Sequence, residues 1–123
     1  MIFLDADIIS YFLNANIKVK EKILEIIDRN EYICTTVINI YEILKGFRWK
    51  DNQKKENQFE EFLENILIFT IDNDVINIAS DLYANLRKLG KSIGDADIII
   101  AAIVMKNNGI LISNNIKHYE KIE

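Results

Sequence analysis

Acidic side chains recur at three places in this sequence where their neighbours are apolar. Asp5 and Asp7 lie within Ile2-Phe3-Leu4-Asp5-Ala6-Asp7-Ile8-Ile9, and Glu42 lies within Val37-Ile38-Asn39-Ile40-Tyr41-Glu42-Ile43-Leu44. Asp95 and Asp97 immediately precede Ile98-Ile99-Ile100-Ala101-Ala102-Ile103-Val104-Met105. A carboxylate among buried groups is costly unless something positive neutralises it. Clustered carboxylates raise one another's pKa unless a cation holds them. The chain has a single histidine, His118, and a single cysteine, Cys34. Hard oxygen donors without a His or Cys cluster favour Mg²⁺ or Mn²⁺ over zinc. A site of that kind lowers the pKa of bound water and neutralises charge developing on a phosphate.

Each acid also has a local explanation. Asp95 reads as a helix N-cap, and Asp97 in the first turn would be stabilised by the helix dipole alone. Asp7 has the same capping role open to it, and Glu42 could pair with Lys45 or Arg48. Asp5 has no such local partner. The set therefore carries more than any one member, provided that the fold brings its members together.

The elements that would do so follow from hydrophobic periodicity. Ile2-Phe3-Leu4 reads as a strand buried on both faces, and acids where such a strand ends lie at the edge where open α/β sheets place their sites. Residues 7–14 suit a short helix with Asp7 as its N-cap. Residues 18–28 suit a second, with Ile23, Leu24, Ile26 and Ile27 inward. Tyr32-Ile33-Cys34-Thr35 reads as a strand. Thr35 or Thr36 then caps a helix from Val37 to about Phe47, with Val37, Ile40, Tyr41 and Leu44 at helical spacing. The polar stretch 48–58 begins as a loop and becomes helix, and Phe59, Phe62, Leu63 and Ile66 lead into a strand over 67–71. Asn73 or Asp74 caps a long helix to about Lys88, with Val75, Ile76, Ala79, Leu82, Tyr83 and Leu86 as its stripe; Arg87, Lys88 and Gly90 close it. The helix after Asp95 is apolar all round and therefore central. Ile110-Leu111-Ile112 is the final clear strand, followed by a turn or short helix through Tyr119. Short strands alternating with helices predict a parallel sheet covered on both faces.

The totals bound the rest. A chain of 123 residues, half of them hydrophobic, fits a single domain over 1–123 with a real core. No apolar run approaches the ~18 residues that span a bilayer, and acids at positions 5 and 7 with no basic region before them argue against a signal peptide. Cys34 lies in an apolar run and reads as a buried thiol, so the expected compartment is the cytoplasm. A net charge of −4 argues against general coating of nucleic acid, although not against a local basic patch beside an acidic pocket. The absence of proline leaves glycine and asparagine to make the stops and turns.

These residues carry a resemblance. Leu4-Asp5-Ala6-Asp7-Ile8-Ile9-Ser10 resembles the opening Asp-Thr-Asn motif of PIN domains, and specifically of VapC-type toxins of toxin–antitoxin pairs. Thr36 to Gly46 is similar to their second motif, with Glu42 as the matching acid. Ile93 to Ala102 resembles the third, in which Asp97 is the aligned residue, three before Ile-Ala-Ala. Leu111 to Tyr119 is similar to the closing Thr-x-Asn/Asp motif and sets Asn115 at the fourth polar position. The motifs occur in family order from end to end. Two positions depart from the pattern: Asp7 stands where Asn is usual, and Asn115 is neutral where some relatives have Asp.

The resemblance implies a three-layer α/β/α domain around a mainly parallel sheet of roughly four or five short strands. It implies endonucleolytic cleavage of RNA with Mg²⁺ or Mn²⁺, a homodimer, and a small cognate antitoxin. In this scheme Asp5 and Asp97 ligate the ion, and Glu42 ligates it or orients the attacking water. Asn115 and Ser113 complete the surroundings, with Asp7 and Asp95 in support. Lys45, Arg48 and Lys91 are the foremost candidates for phosphate contacts. His118 is expected at the surface or in packing rather than as a base. Two competitors remain: a receiver-like domain phosphorylated on Asp72, with Ser113 as switch hydroxyl and Lys117 as its cation, and an inactive PIN domain that only binds RNA or a partner.

Overall fold

A computed structural model describes residues 1–114. In chain order it contains β1 (Ile2–Leu4), α1 (Ala6–Leu13), α2 (Ile17–Asp28), β2 (Ile33–Thr36), α3 (Val37–Trp49), α4 (Gln53–Leu63), β3 (Leu67–Phe69), α5 (Asn73–Lys88), α6 (Asp95–Lys106) and β4 (Ile110–Ile112). Among the described residues the strands form one sheet in the order β3-β2-β1-β4, with every pairing parallel. The earliest strand is thus an inner strand, hydrogen-bonded on both sides, as its continuous apolar run requires.

Alternation along the strands divides the core in two. Phe3 and Cys34 face one side and pack with Val75, Ala79 and Leu86 of α5 and Ile98, Ile100, Ala102 and Ile103 of α6. Ile2, Leu4 and Ile33 face the other and pack with Ile8 and Ile9 of α1, Ile23 and Ile26 of α2, Ile43 of α3 and Phe59 of α4. The result is a three-layer α/β/α sandwich, as expected. Gly109 leads into β4 beneath the Phe3 ring, and a Cβ there would lie 2.5 Å from Phe3 Cε1. Only glycine lets β4 come in at that register.

Several helix starts differ from expectation. Asp5, not Asp7, caps α1, its side chain accepting from Ala6 N. Asp72, not Asn73 or Asp74, caps α5 through Val75 N at 2.9 Å. Asp95 caps nothing: Gly94 holds the N-cap position of α6 without a side-chain bond, and Asp95 is the first helical residue. Runs of adjacent capping types allow a one-residue shift at no cost in composition, and tertiary position then decides. The third helix extends to Trp49, so only a short connection separates it from α4, and β3 ends at Phe69. Leu24, Ile27, Tyr41, Ile76 and Tyr83, read as inward, are exposed. With no proline to stop helices, the chain turns out of them through left-handed residues: Ala15, Asn30, Asp51 and Asn108 at φ 51–60°, and Gly90 at φ 72°. Among the described residues, no helix is long and apolar enough to cross a membrane.

Candidate active site

The C-terminal end of β1 delivers Asp5 directly into the N-terminus of α1. Its carboxylate is 5% exposed, and both oxygens are held. Oδ1 accepts from Ala6 N at 3.0 Å and from Asn39 Nδ2 at 2.8 Å, and Oδ2 accepts from Ser113 Oγ at 2.5 Å. Asn39 is itself buried and fixed, its Oδ1 accepting from Thr36 Oγ1 at 2.7 Å while its backbone N–H donates back to that hydroxyl at 3.3 Å. Thr35 Oγ1 donates to the Leu4 carbonyl at 3.0 Å, and Asp5 N donates to the Ile112 carbonyl at 3.0 Å. The ends of β1, β2 and β4 are thus bound together around one carboxylate.

Asn39 was not singled out as a site residue by sequence reasoning, although it has a signal. It is a polar side chain in an apolar helix, three residues after a capping threonine and four before the buried Ile43. A buried amide needs partners, and Asp5 is the partner.

Asp7 sits one turn into this corner. Its Oδ2 accepts from Asn114 N at 3.0 Å, and Asn114 Nδ2 donates to Tyr11 Oη at 3.0 Å. Its Oδ1 is buried without a hydrogen-bond partner among the described residues. Burial, and secondarily the Asp5 charge, pushes the Asp7 carboxyl above its ordinary value, against the pull of the Asn114 amide. Glu42 is half-buried and also shifted upward, first by burial, then by the charges of Asp5 and Asp97, with Lys45 opposing and Asp7 adding to the rise. That pattern brings together acids that are far apart in sequence: Asp5, Asp7, Glu42 and Asp97 share one electrostatic neighbourhood. Asp97 is half-buried in the first turn of α6, whereas Asp95 is exposed beside it.

Asp7 and Glu42 line a cavity of about 460 Å³ together with Ser10, Asn14, Lys50 and Lys55. Lys55 Nζ donates to the Leu13 carbonyl at 2.7 Å, closing the C-terminal end of α1. Of the cationic candidates, Lys45 lies over the Tyr41 ring at 5.1 Å and beside Glu42, and Arg48 pairs with Glu56 at 3.2 Å. Lys91 is exposed in the turn before α6. Asn115, Lys117 and His118 lie outside the described residues.

The donor set suits a hard divalent cation. Its candidate donor atoms are oxygens, one is orphaned and buried, and burial, reinforced by mutual repulsion, raises the proton affinity of Asp7 and Glu42. Among the described residues, no three acidic, histidine or cysteine side chains already converge on one ion position. The acids are neighbours rather than a closed ligand shell.

A family model described as the PIN domain matches residues 2–122. The chain belongs to the PIN-domain family. Among curated relatives, this PIN domain is 32% identical over 88 residues to Ribonuclease VapC1 of Methanocaldococcus jannaschii, a match spanning 72% of the chain and 62% of that relative. It is 28% identical over 121 residues to Ribonuclease VapC2 of Rickettsia felis, covering 97% of the chain and 90% of the relative. Among solved structures, it superposes on VapBC2 of Rickettsia felis bound to a promoter DNA fragment with a TM-score of 0.87 at 26% identity, over 99% of this chain and 93% of that one.

Proposed function

We propose that this chain is a divalent-metal-dependent endoribonuclease, the toxin of a VapBC-type toxin–antitoxin pair, acting as a single domain over 1–123 in the cytoplasm. The observation that carries the reading is the neighbourhood of Asp5, Asp7, Glu42 and Asp97 at the carboxyl end of the sheet, where burial first, and then the charges of the other three, raise the proton affinity of Glu42. The names of the curated relatives support the substrate class.

Asp5 and Asp97 are the residues that would hold Mg²⁺ or Mn²⁺, with the buried Oδ1 of Asp7 available to it. Bound there, the ion would neutralise charge on a phosphodiester and acidify water. The protein's own part is positioning and proton transfer. Asn39 and Ser113 lock the orientation of Asp5, so its carboxylate need not reorganise. Glu42, held above the usual carboxylate range, is suited to accept a proton at its Oε atoms from an attacking water. Lys45, Arg48 and Lys91 are the proposed phosphate contacts, with Arg48 first having to leave Glu56. Asp95 and Asn115 are the remaining proposed members of the set, in support.

The partner is a small antitoxin. A second, larger hollow of about 890 Å³ runs between α2 and α4, floored by Phe12, Ile23, Ile27, Phe62 and Ile66, and suits the apolar face of a partner helix. Structural neighbours solved as VapBC complexes support that choice. We further propose that the active form is a homodimer. A receiver-like reading is disfavoured because Asp72 caps α5 and bonds Lys106, and Ser113 serves Asp5 instead.

The test is cleavage of RNA by the purified chain with Mn²⁺ or Mg²⁺. Activity should vanish with chelator and with Asp5→Asn, while circular dichroism remains unchanged. A well-folded Asp5→Asn protein with full activity would overturn the site, and a folded wild-type chain inert with every divalent ion would favour a binding-only domain.

A further inference from the structure

Trp49 is the chain's one tryptophan, and it ends α3 with 88% of its surface in water. A single exposed ring needs no partner by itself, but the place of this one on its helix points to a use. Glu42, Lys45 and Trp49 recur at i, i+3 and i+7, so they share one face of α3, with the indole about 10 Å beyond the acid along the axis. Gly46 lies in the same stripe and lines the cavity with Glu42 and Lys50. A Cβ at Gly46 would meet nothing within 4 Å, so packing does not demand a glycine there, and glycine is disfavoured in a helix interior. What the glycine provides is bare backbone between the acidic pocket and the indole. Cations flank that path: Lys45, held over the Tyr41 ring at 5.1 Å, and Lys50 at the cavity wall.

We propose that this stripe of α3 seats single-stranded RNA next to the scissile phosphate, an unpaired base stacking on Trp49 while the backbone crosses Gly46 between Lys45 and Lys50. The proposal rests on the nuclease reading above and deepens it, naming Trp49 as a positioning residue for the strand beside the cleaved bond. Stacking on an exposed indole needs a base with a free face, which a duplex does not offer, and flanking cations take the phosphates. The net acidity of the chain makes these cations the local exception that a polyanion would seek.

Because Trp49 is the sole tryptophan, its fluorescence reports on this contact alone. The full chain, in chelator to prevent cleavage, is titrated with a short unstructured RNA and with the same sequence as a blunt duplex. The single strand should quench the indole saturably, more weakly as salt rises, and the duplex should not. Trp49→Ala should weaken single-strand binding about tenfold or more, with Trp49→Phe in between, and with metal restored both should raise KM more than they lower kcat. Equal quenching by duplex, or unchanged RNA affinity in Trp49→Ala, overturns the proposal. So does emission that shifts with protein concentration but not with RNA, which would mean that a second copy covers the ring. Loss of quenching with Asp5-dependent cleavage intact overturns this proposal alone. Quenching in a chain whose Asp5→Asn variant still cuts RNA supports the stacking surface while overturning the active-site reading.

Discussion

The two faces of the sheet are covered by different means. On one side, α5 and α6 close over Phe3 and Cys34 with a layer of small and β-branched side chains, among them Ala79, Ala102, Ile100 and Ile103. On the other, α1 to α4 cover Ile2, Leu4 and Ile33 with larger groups, including the tilted Phe12–Phe62 pair at 5.1 Å and the edge-on Phe47–Phe59 pair at 6.3 Å. The hollows of about 890, 460 and 130 Å³ all involve that second side. Small residues let α5 and α6 approach closely, whereas the helices of the second side leave these openings between them. The closed side supplies stability, and the open side presents chemistry. The acids stand where the two meet, at the carboxyl ends of the strands.

Mutations should separate the two sides. The largest effect belongs to Asp5→Asn, which should reduce RNA cleavage to background while thermal unfolding shifts little, because asparagine can still cap α1 and face Asn39 and Ser113. Next, Ile100→Ala on the closed side should cost about 2–5 kcal/mol in denaturant unfolding, yet leave activity per folded molecule unchanged. A loss of activity larger than the loss of folded protein would break the division. Asn39→Ala stands between the sides and should do both. Removing the amide that orients Asp5 should lower activity about 10- to 100-fold, and leaving the buried Thr36 hydroxyl without its acceptor should cost about 1–3 kcal/mol.

Asp7→Asn should act in the opposite direction. Burial and Asp5 raise the Asp7 carboxyl above 3.8 in the folded chain, so the folded state holds the proton more tightly than the unfolded one. Its contribution to stability therefore declines as pH rises from 3.8 through the raised folded value, then stays unfavourable at neutral pH. The asparagine variant lacks this decline, and its Tm advantage over the parent should be near zero in acid and full at pH 7. The smallest effect is Asp72→Ala at the solvent edge of the closed side, which removes the α5 cap and the bond to Lys106. Tm should fall slightly. The Lys106-dependent part of that stability is present at neutral pH and fades as pH falls through the lowered Asp72 value.

Much of this is legible in the sequence. The continuous apolar runs at Ile2–Leu4 and Ile98–Val104 identified the inner strand and the central helix, because an element buried all round has no other composition open to it. Asp5 was recognisable by its lack of a local partner. Asn39 was not, since its role depends on a carboxylate 34 positions away, and helical spacing selected Tyr41 as inward on apolarity alone. Here hydrogen bonding outweighed apolar patterning: α3 turns Asn39 and Ile43 into the core and leaves Tyr41 63% exposed. Ile27 misleads for a related reason. Apolar residues on a groove and in a core look alike in sequence, and only the gap between α2 and α4 distinguishes them.

The inner position of β1 has a consequence for timing. Asp5 is synthesised well before the hydroxyl that clamps it, which belongs to Ser113, 108 positions later, on a segment that must first dock β4 against β1. Chains emerge from the N-terminus, and such distant pairings form late. A nascent chain therefore carries its acids without the frame that orients them, and it acquires a finished site only when synthesis has passed Ser113.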